Sequence, residues 1–388
     1  MEDAAMAPDA QHFADEHWMD VALDLARGAA RRTWPNPPVG AVVVRNGEVV
    51  GRGAHQGAGT PHAEPVALAE AGEQARGATL YVTLEPCNHQ GRTAPCAPAV
   101  IDSGVTRVVV ANRDPNPTVI GGGCRHLRDR GLDVVCGVRA VQALELIWPF
   151  VVTGNFSRPY VELKTAHSLD GYFAPPPTDR SDVAPVYLTG EMARQDVHRR
   201  RRRVDLVIVG EGTVAADRPR LDGRLAAGLT DVPQDDPVPA YVDTDLSWPG
   251  GFAREPYVVF AGEDARESSA CAAIASGGGQ IIFCRTKAGH VDPEDLVRQA
   301  AAHGYLSLMI EGGPRLAGAF LGAGAVDRWI RYQAPLILGA GVGWSDGFLT
   351  PGFVDRNFHL TSATTLDADL VTVHDRCSFR DVLARVTL

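Results

Sequence analysis

His62, Glu64, Cys87 and Cys96 are the residues whose types and order can do chemistry. One imidazole and two thiolates hold a Zn²⁺ and leave its fourth position open for water, as a catalytic zinc site requires. Zinc lowers the pKa of such a water from ~16 toward ~7, so hydroxide is at hand at neutral pH. Glu64 lies two residues after His62 and reaches that water without binding the metal, so it serves as the proton shuttle. The competing reading is a closed structural site with His89 as fourth ligand. A buried Cys or His taken alone is more often plain packing.

These residues need elements to position them. His62 to Ala75 reads as a helix, and Pro65 is tolerable only in its first turn, which places His62 and Glu64 at the helix N-terminus. Thr79 to Leu84 reads as a strand delivering Glu85-Pro86-Cys87, and Cys96 to Ser103 as the next helix. Upstream, His17 to Ala30 carries apolar residues at a helical period. Ala41 to Val44 and Glu48 to Gly51 flank Asn46-Gly47 as a β-hairpin. Arg107 to Ala111 and Asp133 to Gly137 read as further strands. Alternation of strand and helix indicates a layered α/β domain.

The chain has 388 residues, enough for two domains. Trp148-Pro149-Phe150 and Gly154-Asn155-Phe156 place the boundary near residue 150: a disordered leader over 1–16, a first domain over 17–150 and a second over 151–388. A net charge of −10 argues against a general nucleic-acid binder. No apolar run reaches the ~18 residues that span a bilayer, and the start lacks the basic and apolar regions of a signal peptide. Seven scattered cysteines are an odd count and suggest a reducing compartment, so a cytoplasmic location is expected.

The second half is strand-rich from Tyr160, and Asp292-Pro293-Glu294 opens a helix that Gly304 ends. In Glu311-Gly312-Gly313-Pro314 a strand ends, two glycines permit close backbone approach and a helix begins, presenting free N–H groups to a pyrophosphate. A Gly-Gly turn by itself is more often only a turn. Arg199 to Arg203 is a run of five arginines; a solvated face is the default reading, and on a helix one or two of them could face a substrate or cofactor phosphate.

Asn36-Pro37-x-Val39-Gly40, Gly53-x-His55-x-x-Ala58-Gly59-x-Pro61-His62-Ala63-Glu64 and Thr83-Leu84-Glu85-Pro86-Cys87-x-His89-x-Gly91-Arg92-Thr93-x-Pro95-Cys96 together resemble the deaminase domain of the bifunctional riboflavin-biosynthesis deaminase/reductases. The eight residues between Cys87 and Cys96 set that family apart from plain cytidine deaminases. Arg158-Pro159-Tyr160-x-x-Leu163-Lys164-x-Ala166-x-Ser168-Leu169-Asp170-Gly171, Thr189-Gly190-x-x-Ala193-Arg194-x-Asp196-Val197-His198, the stretch from Val209 to Leu221 and the Glu311 segment resemble its reductase domain.

The resemblance implies a cytidine-deaminase-like α/β/α layered domain followed by a dihydrofolate-reductase-like α/β domain, with Zn²⁺ in the first and NADPH in the second. It implies a phosphoribosylaminopyrimidine substrate whose ring amine is replaced by oxygen and whose ribosyl group is then reduced to a ribityl chain. Asn36, His55, His89, Arg92 and Thr93 would hold the base and phosphate; Arg201, Leu221, Arg224 and Glu311 would meet the substrate in the reductase. Lys164 would polarise the sugar carbon. His167, Tyr187, Thr213, Asp217, Thr244, Gly313, Pro314, Arg315, Leu316, Ala317, Gly318 and Ala319 would meet NADPH. A homo-oligomer is expected, with no nucleic-acid or membrane partner.

The chain departs from the family pattern at Asn88 and Ala94 and, more heavily, in the reductase half. There Pro185 stands for a substrate-binding Ser, Tyr187 for a Trp, Arg218 for an Asp and Arg315 for a Thr. These departures motivate the alternative of an inert or retargeted reductase in a specialised pathway. A C-terminal half that only binds or dimerises, and a polynucleotide deaminase in the N-terminal half, are the other readings.

Overall fold

The computed structural model describes residues 8–29, 33, 35–91, 93–115, 122–176, 187–224, 236–248, 254–344 and 355–378. The chain divides into two compact units, the first made of the residues up to Ser157 together with those from Ser378 onward, the second of Arg158–Cys377.

In the first unit, helix α1 (Pro8–Ala29) is followed by β1 (Gly40–Arg45), β2 (Glu48–Ala54), α2 (Ala63–Ala71), β3 (Thr79–Leu84), α3 (Cys96–Asp102), β4 (Arg107–Asn112), α4 (Gly123–Asp129), β5 (Asp133–Cys136) and α5 (Ala140–Phe156). The sheet order is β2-β1-β3-β4-β5. Strands β1 and β2 form the expected hairpin, with Asn46 and Gly47 both at positive φ as a type I′ turn requires. Strands β3, β4 and β5 are parallel. Alternate residues of the strands feed two cores. Ala41, Val43, Leu80, Val82, Val108 and Val110 pack under α2, α3 and α4, whereas Val42, Tyr81, Val109 and Ala111 pack under α1 and α5. Both sheet faces are therefore covered, giving three α/β/α layers.

Two expectations change here. Helix α1 begins well inside the stretch read as a disordered leader, of which residues 1–7 lie outside the described residues. Asp15 is 4 % exposed, and its carboxylate takes a bidentate pair from Arg107 of β4 at 2.7 and 2.8 Å and a hydrogen bond from Tyr81 at 3.0 Å. An acidic residue on the buried face hid the apolar period. Helix α5 runs through the Trp148-Pro149-Phe150 boundary marker and ends at Phe156, where Ser157 turns to positive φ. Pro149 removes one helical N–H, yet Leu144, Ile147, Val151 and Val152 are buried and hold the helix in place.

The second unit contains β6 (Tyr160–His167), α6 (Glu191–Arg201), β7 (Leu206–Gly210), α7 (Glu211–Asp217), β8 (Val238–Val242), β9 (Tyr257–Gly262), α8 (Ala270–Ser276), β10 (Gly279–Cys284), the two-residue strands β11 (Thr286–Lys287) and β12 (His290–Val291), α9 (Pro293–Ala302), β13 (Ser307–Glu311), α10 (Pro314–Gly322), β14 (Arg328–Gln333), β15 (Phe358–Leu366) and β16 (Asp369–Arg376). Its main sheet has the order β10-β9-β8-β7-β13-β6-β14-β16-β15. It is parallel from β10 to β14, and β16 runs antiparallel to both β14 and β15. Strand β7 is apolar on both faces: Leu206 and Ile208 join the core that includes α9 and α10, and Val207 and Val209 join the one that includes α7 and α8. Asp292 caps α9 through its carboxylate and the Glu294 amide at 3.1 Å, as expected.

The chain order turns back at β13, which inserts between β7 and β6. The C-terminal ends of these three strands form the topological switch point where open parallel sheets bind ligands.

Candidate active sites

In the first unit α2 lies directly on the hairpin. A Cβ at Gly51 would come within 2.2 Å of the Ala67 carbonyl oxygen, and one at Gly53 within 2.1 Å of the Ala63 oxygen. Only glycine permits that approach, and it fixes where the first turn of α2 begins. His62 stands at the N-cap in extended conformation and Glu64 follows inside the helix. Strand β3 delivers Cys87, whose carbonyl accepts from the Cys96 and Ala97 amides at 3.0 and 3.1 Å. The wide Cys-to-Cys loop thus closes on the start of α3.

His62, Cys87 and Cys96 form a group whose ligand atoms all lie within 4.8 Å of one another. His62 Nδ1 is 3.2 Å from Cys96 Sγ and 3.5 Å from Cys87 Sγ. Ligands of a tetrahedral zinc sit ~3.5–3.8 Å apart, so this nitrogen and two sulfurs suit that ion with one position open. The other imidazole nitrogen, Nε2, faces Thr93 Oγ1 at 3.2 Å. With Nδ1 toward the metal, Nε2–H donates to Thr93, which fixes the ring orientation.

The hydrogen bond from the Cys96 thiol draws Cys87 down to about 4, against its burial and with help from His62. The same bond, followed by burial, pushes Cys96 up. A divalent cation bound between the two sulfurs would hold both as thiolates. Burial pushes the Glu64 carboxyl up to about 7, and the Cys87 charge adds to it. Glu64 is 3 % exposed. A carboxyl so placed can take up and release a proton near neutrality.

His55 is buried, and its Nδ1 meets the Pro61 carbonyl at 3.1 Å. A carbonyl only accepts, so Nδ1 carries the proton and Nε2 accepts from Asn36 Nδ2 at 3.0 Å. Burial holds His55 below its ordinary value, in keeping with a neutral ring. His55 therefore orients the Asn36 side chain. His89 is exposed and outside the metal group, which removes the fourth ligand of a closed structural site. Arg92 lies outside the described residues.

In the second unit Glu311 ends β13 and pairs in register with Lys164 inside β6. Arg201 of α6 makes a bidentate pair with Glu311 at 2.6 and 2.9 Å, and Lys164 Nζ lies 3.9 Å from the same carboxylate. Burial pushes Lys164 down while the Glu311 charge resists it. Burial would raise Glu311, but Arg201 and Lys164 hold it below the usual carboxylate range. One negative charge thus faces two positive ones, leaving a net cation suited to a phosphorylated sugar.

Leu221 is buried at positive φ, and Arg224 pairs with Asp222 at 2.7 Å. The Asp222 carbonyl accepts from Arg201 at 3.2 Å and meets His198 at 2.9 Å. Asp222 and His198 were absent from the candidate site residues read from the sequence; the signals were that Asp222 adjoins Leu221 and that His198 closes one of the motifs carrying the resemblance.

His167 is buried, and burial pushes it to about 4, with the Arg331 charge adding to the effect. Tyr187 is exposed and carries the Arg194 guanidinium 4.9 Å from its ring centroid. Thr213 is half-buried on α7, Asp217 ends that helix exposed, and Thr244 accepts from the Val291 amide at 3.2 Å. Gly313 caps α10 with open space beside it, and Pro314 follows at the first helical position. Arg315 is exposed, Leu316 and Ala319 are half-buried, and Pro314, Ala317 and Gly318 are buried. Backbone amides at Gly313 and the start of α10, more than these side chains, are what the turn can offer a pyrophosphate. Pro185 lies outside the described residues; Arg218 caps α7 at positive φ.

The family of the RibD C-terminal domain matches residues 159–372, more than half the chain. The chain belongs to the RibD family. The cytidine and deoxycytidylate deaminase zinc-binding region matches residues 13–112, so both RibD domains are present in the expected order. The riboflavin biosynthesis protein RibD of Aquifex aeolicus is 38 % identical over 338 residues, 86 % of this chain and 90 % of that protein. The structure of Acinetobacter baumannii RibD is 33 % identical, with a TM-score of 0.71 over 94 % of this chain and 99 % of its own. That of a diaminohydroxyphosphoribosylaminopyrimidine deaminase/5-amino-6-(5-phosphoribosylamino)uracil reductase from Thermotoga maritima is 30 % identical, with a TM-score of 0.76 over 95 % of this chain and all of its own. As a RibD protein the chain is a zinc deaminase and an NADPH-dependent reductase of riboflavin biosynthesis. Nothing in these likenesses favours an inert or retargeted reductase. No helix among the described residues is long and apolar enough to cross a membrane.

Proposed function

We propose that the chain deaminates 2,5-diamino-6-(5-phosphoribosylamino)pyrimidin-4-one in its first unit and reduces the ribosyl group of the product in its second. The observation that carries the reading is the pairing of a three-ligand metal group beside buried Glu64 with the Lys164–Glu311–Arg201 cluster at the switch point of the second sheet.

Bound through His62, Cys87 and Cys96, zinc supplies a Lewis acid that makes hydroxide available at neutral pH. Glu64 takes the proton of the attacking water, delivers it to the ring nitrogen and then to the departing amine, and ammonia leaves. Asn36, held by His55, reads the heterocycle edge through its side-chain carbonyl oxygen. Thr93 keeps the His62 ring in place. In the second unit NADPH supplies the hydride when bound. The residues proposed to meet it are His167, Tyr187, Thr213, Asp217, Thr244 and the Gly313–Ala319 turn. Lys164 stabilises negative charge on the sugar oxygen as the ring opens, and Arg201 and Arg224 face the phosphate. Glu311 sets the position of Lys164 and Arg201.

Seven free thiols fit a cytoplasmic location, and a homo-oligomer is part of the reading. The test measures ammonia release from that substrate by zinc-loaded protein, then NADPH oxidation after deamination is complete. Ammonia followed by stoichiometric NADPH loss supports the assignment. NADPH loss before deamination, or no ammonia, contradicts it.

A further inference from the structure

Two cysteines that the chemistry above does not use meet each other in the first unit. Cys124 is the second residue of α4 and is buried. Cys136 is the last residue of β5, the edge strand of its sheet, and is half-buried. Their sulfurs lie 3.5 Å apart. A disulfide needs ~2.05 Å, so closing the bond takes ~1.5 Å of movement between one helical turn and the end of a strand. Arg128 Nη2 approaches Cys136 Sγ at 3.5 Å. The hydrogen bond from Cys124 draws the Cys136 thiol down to about 6 against its burial, and the Arg128 charge adds to this. Cys136 is thus the accessible, thiolate-prone partner and Cys124 the resolving one.

The pair is also wired to a metal ligand. Glu85 Oε1 accepts from the Cys124 amide at 2.7 Å, and Oε2 accepts from the Asp114 amide at 3.0 Å. Glu85 is two residues before Cys87. Gly123 abuts Pro86 so tightly that a Cβ there would fall 1.8 Å from the Pro86 carbonyl oxygen. The first turn of α4 cannot shift without moving the loop that carries Cys87.

We propose that Cys124 and Cys136 form a reversible disulfide by exchange with small-molecule disulfides, and that closing it slows deamination by displacing the Glu85-Pro86-Cys87 loop. The Cys136 thiolate attacks one sulfur of the small disulfide, forming a mixed disulfide and expelling one thiolate, which takes the Cys136 proton. Cys124 loses its proton and attacks the Cys136 sulfur, expelling the second thiolate, which takes that proton. The protein is oxidised by two electrons, and one small disulfide becomes two thiols.

The inhibition rests on the deaminase reading above; the disulfide does not. The full-length zinc-loaded protein is treated with oxidised glutathione, its remaining thiols are alkylated, and three quantities are read: the Cys124–Cys136 linked peptide by mass spectrometry, zinc content, and ammonia release. The expected result is the linked peptide, retained zinc and a ~10-fold or larger fall in deamination. Dithiothreitol should restore the rate, reduction by the second unit should be unchanged, and Cys136→Ser should keep its rate under the same treatment. Absence of the linked peptide overturns the proposal, as does linkage with deamination unchanged. Equal inhibition of Cys136→Ser would move the oxidation to Cys87 and Cys96 and also overturn it. A reduced protein that releases no ammonia while still forming the linked peptide would count against the deaminase reading alone.

Discussion

Glu64 is the proposed proton carrier of deamination. Glu64→Gln keeps the volume and removes the proton carrier, so zinc should stay bound while ammonia release falls by about 10²–10⁴. NADPH-dependent reduction of the deaminated compound should be untouched. Retained deamination would remove Glu64 from the mechanism. Thr93 acts through His62. In Thr93→Val the Nε2–H loses its acceptor, and zinc affinity should drop about 10–100-fold. Competition against a chelator measures this, and excess zinc should rescue much of the rate. Of the residues named here, the grouping of His62, Cys87 and Cys96 was legible in the sequence from residue type, order and spacing. The roles of His55 and Thr93 were not. Each is tied to a partner that sequence distance conceals, Asn36 and Pro61 for one and His62 for the other.

At the scale of elements, the strands show what periodicity can and cannot carry. Strand β3 occupies the Thr79–Leu84 stretch read from its apolar run, and the Asn46-Gly47 turn fixes the hairpin. Strand β15 was missed because most of its residues are exposed, so no buried face alternates along it. Helix α4 was missed because it opens at the third of three glycines, which reads as loop. Helix α1 was read too short because Asp15 sits on its buried face. That carboxylate gives a prediction. Burial would raise Asp15, but Arg107, with Gln11 and Tyr81, holds it below its usual range. A depressed carboxylate stabilises the fold above the unfolded value of about 3.9, and this contribution is lost as pH falls through the folded value. Asp15→Asn should therefore cost about 3 kcal/mol at pH 7, where Arg107 is left without its main partner. Urea unfolding should show the gap to the parent protein shrinking toward pH 3. A gap that stays constant with pH would mean the charge pair is not what holds α1 to β4.

At the scale of the whole molecule, the chain places its two chemistries in separate compact units, each with its own sheet and cores. The sequence made the order of the two halves readable but set the boundary too early, inside α5. Separate units predict separable defects. Lys164→Ala should cut reduction by about 10² or more while ammonia release stays at the parent rate; a matching loss of deamination would contradict independent sites. Both steps are proposed to occur, in order, on one phosphoribosylaminopyrimidine. The most direct test is mass spectrometry of the products formed by zinc-loaded protein from 2,5-diamino-6-(5-phosphoribosylamino)pyrimidin-4-one, with and without NADPH. Without NADPH the expected product has oxygen in place of the ring amine and an intact sugar. With NADPH the expected product is that same compound carrying two further hydrogens on an opened ribityl chain. A substrate reduced while its amine remains, or an unchanged sugar in the presence of NADPH, would contradict it.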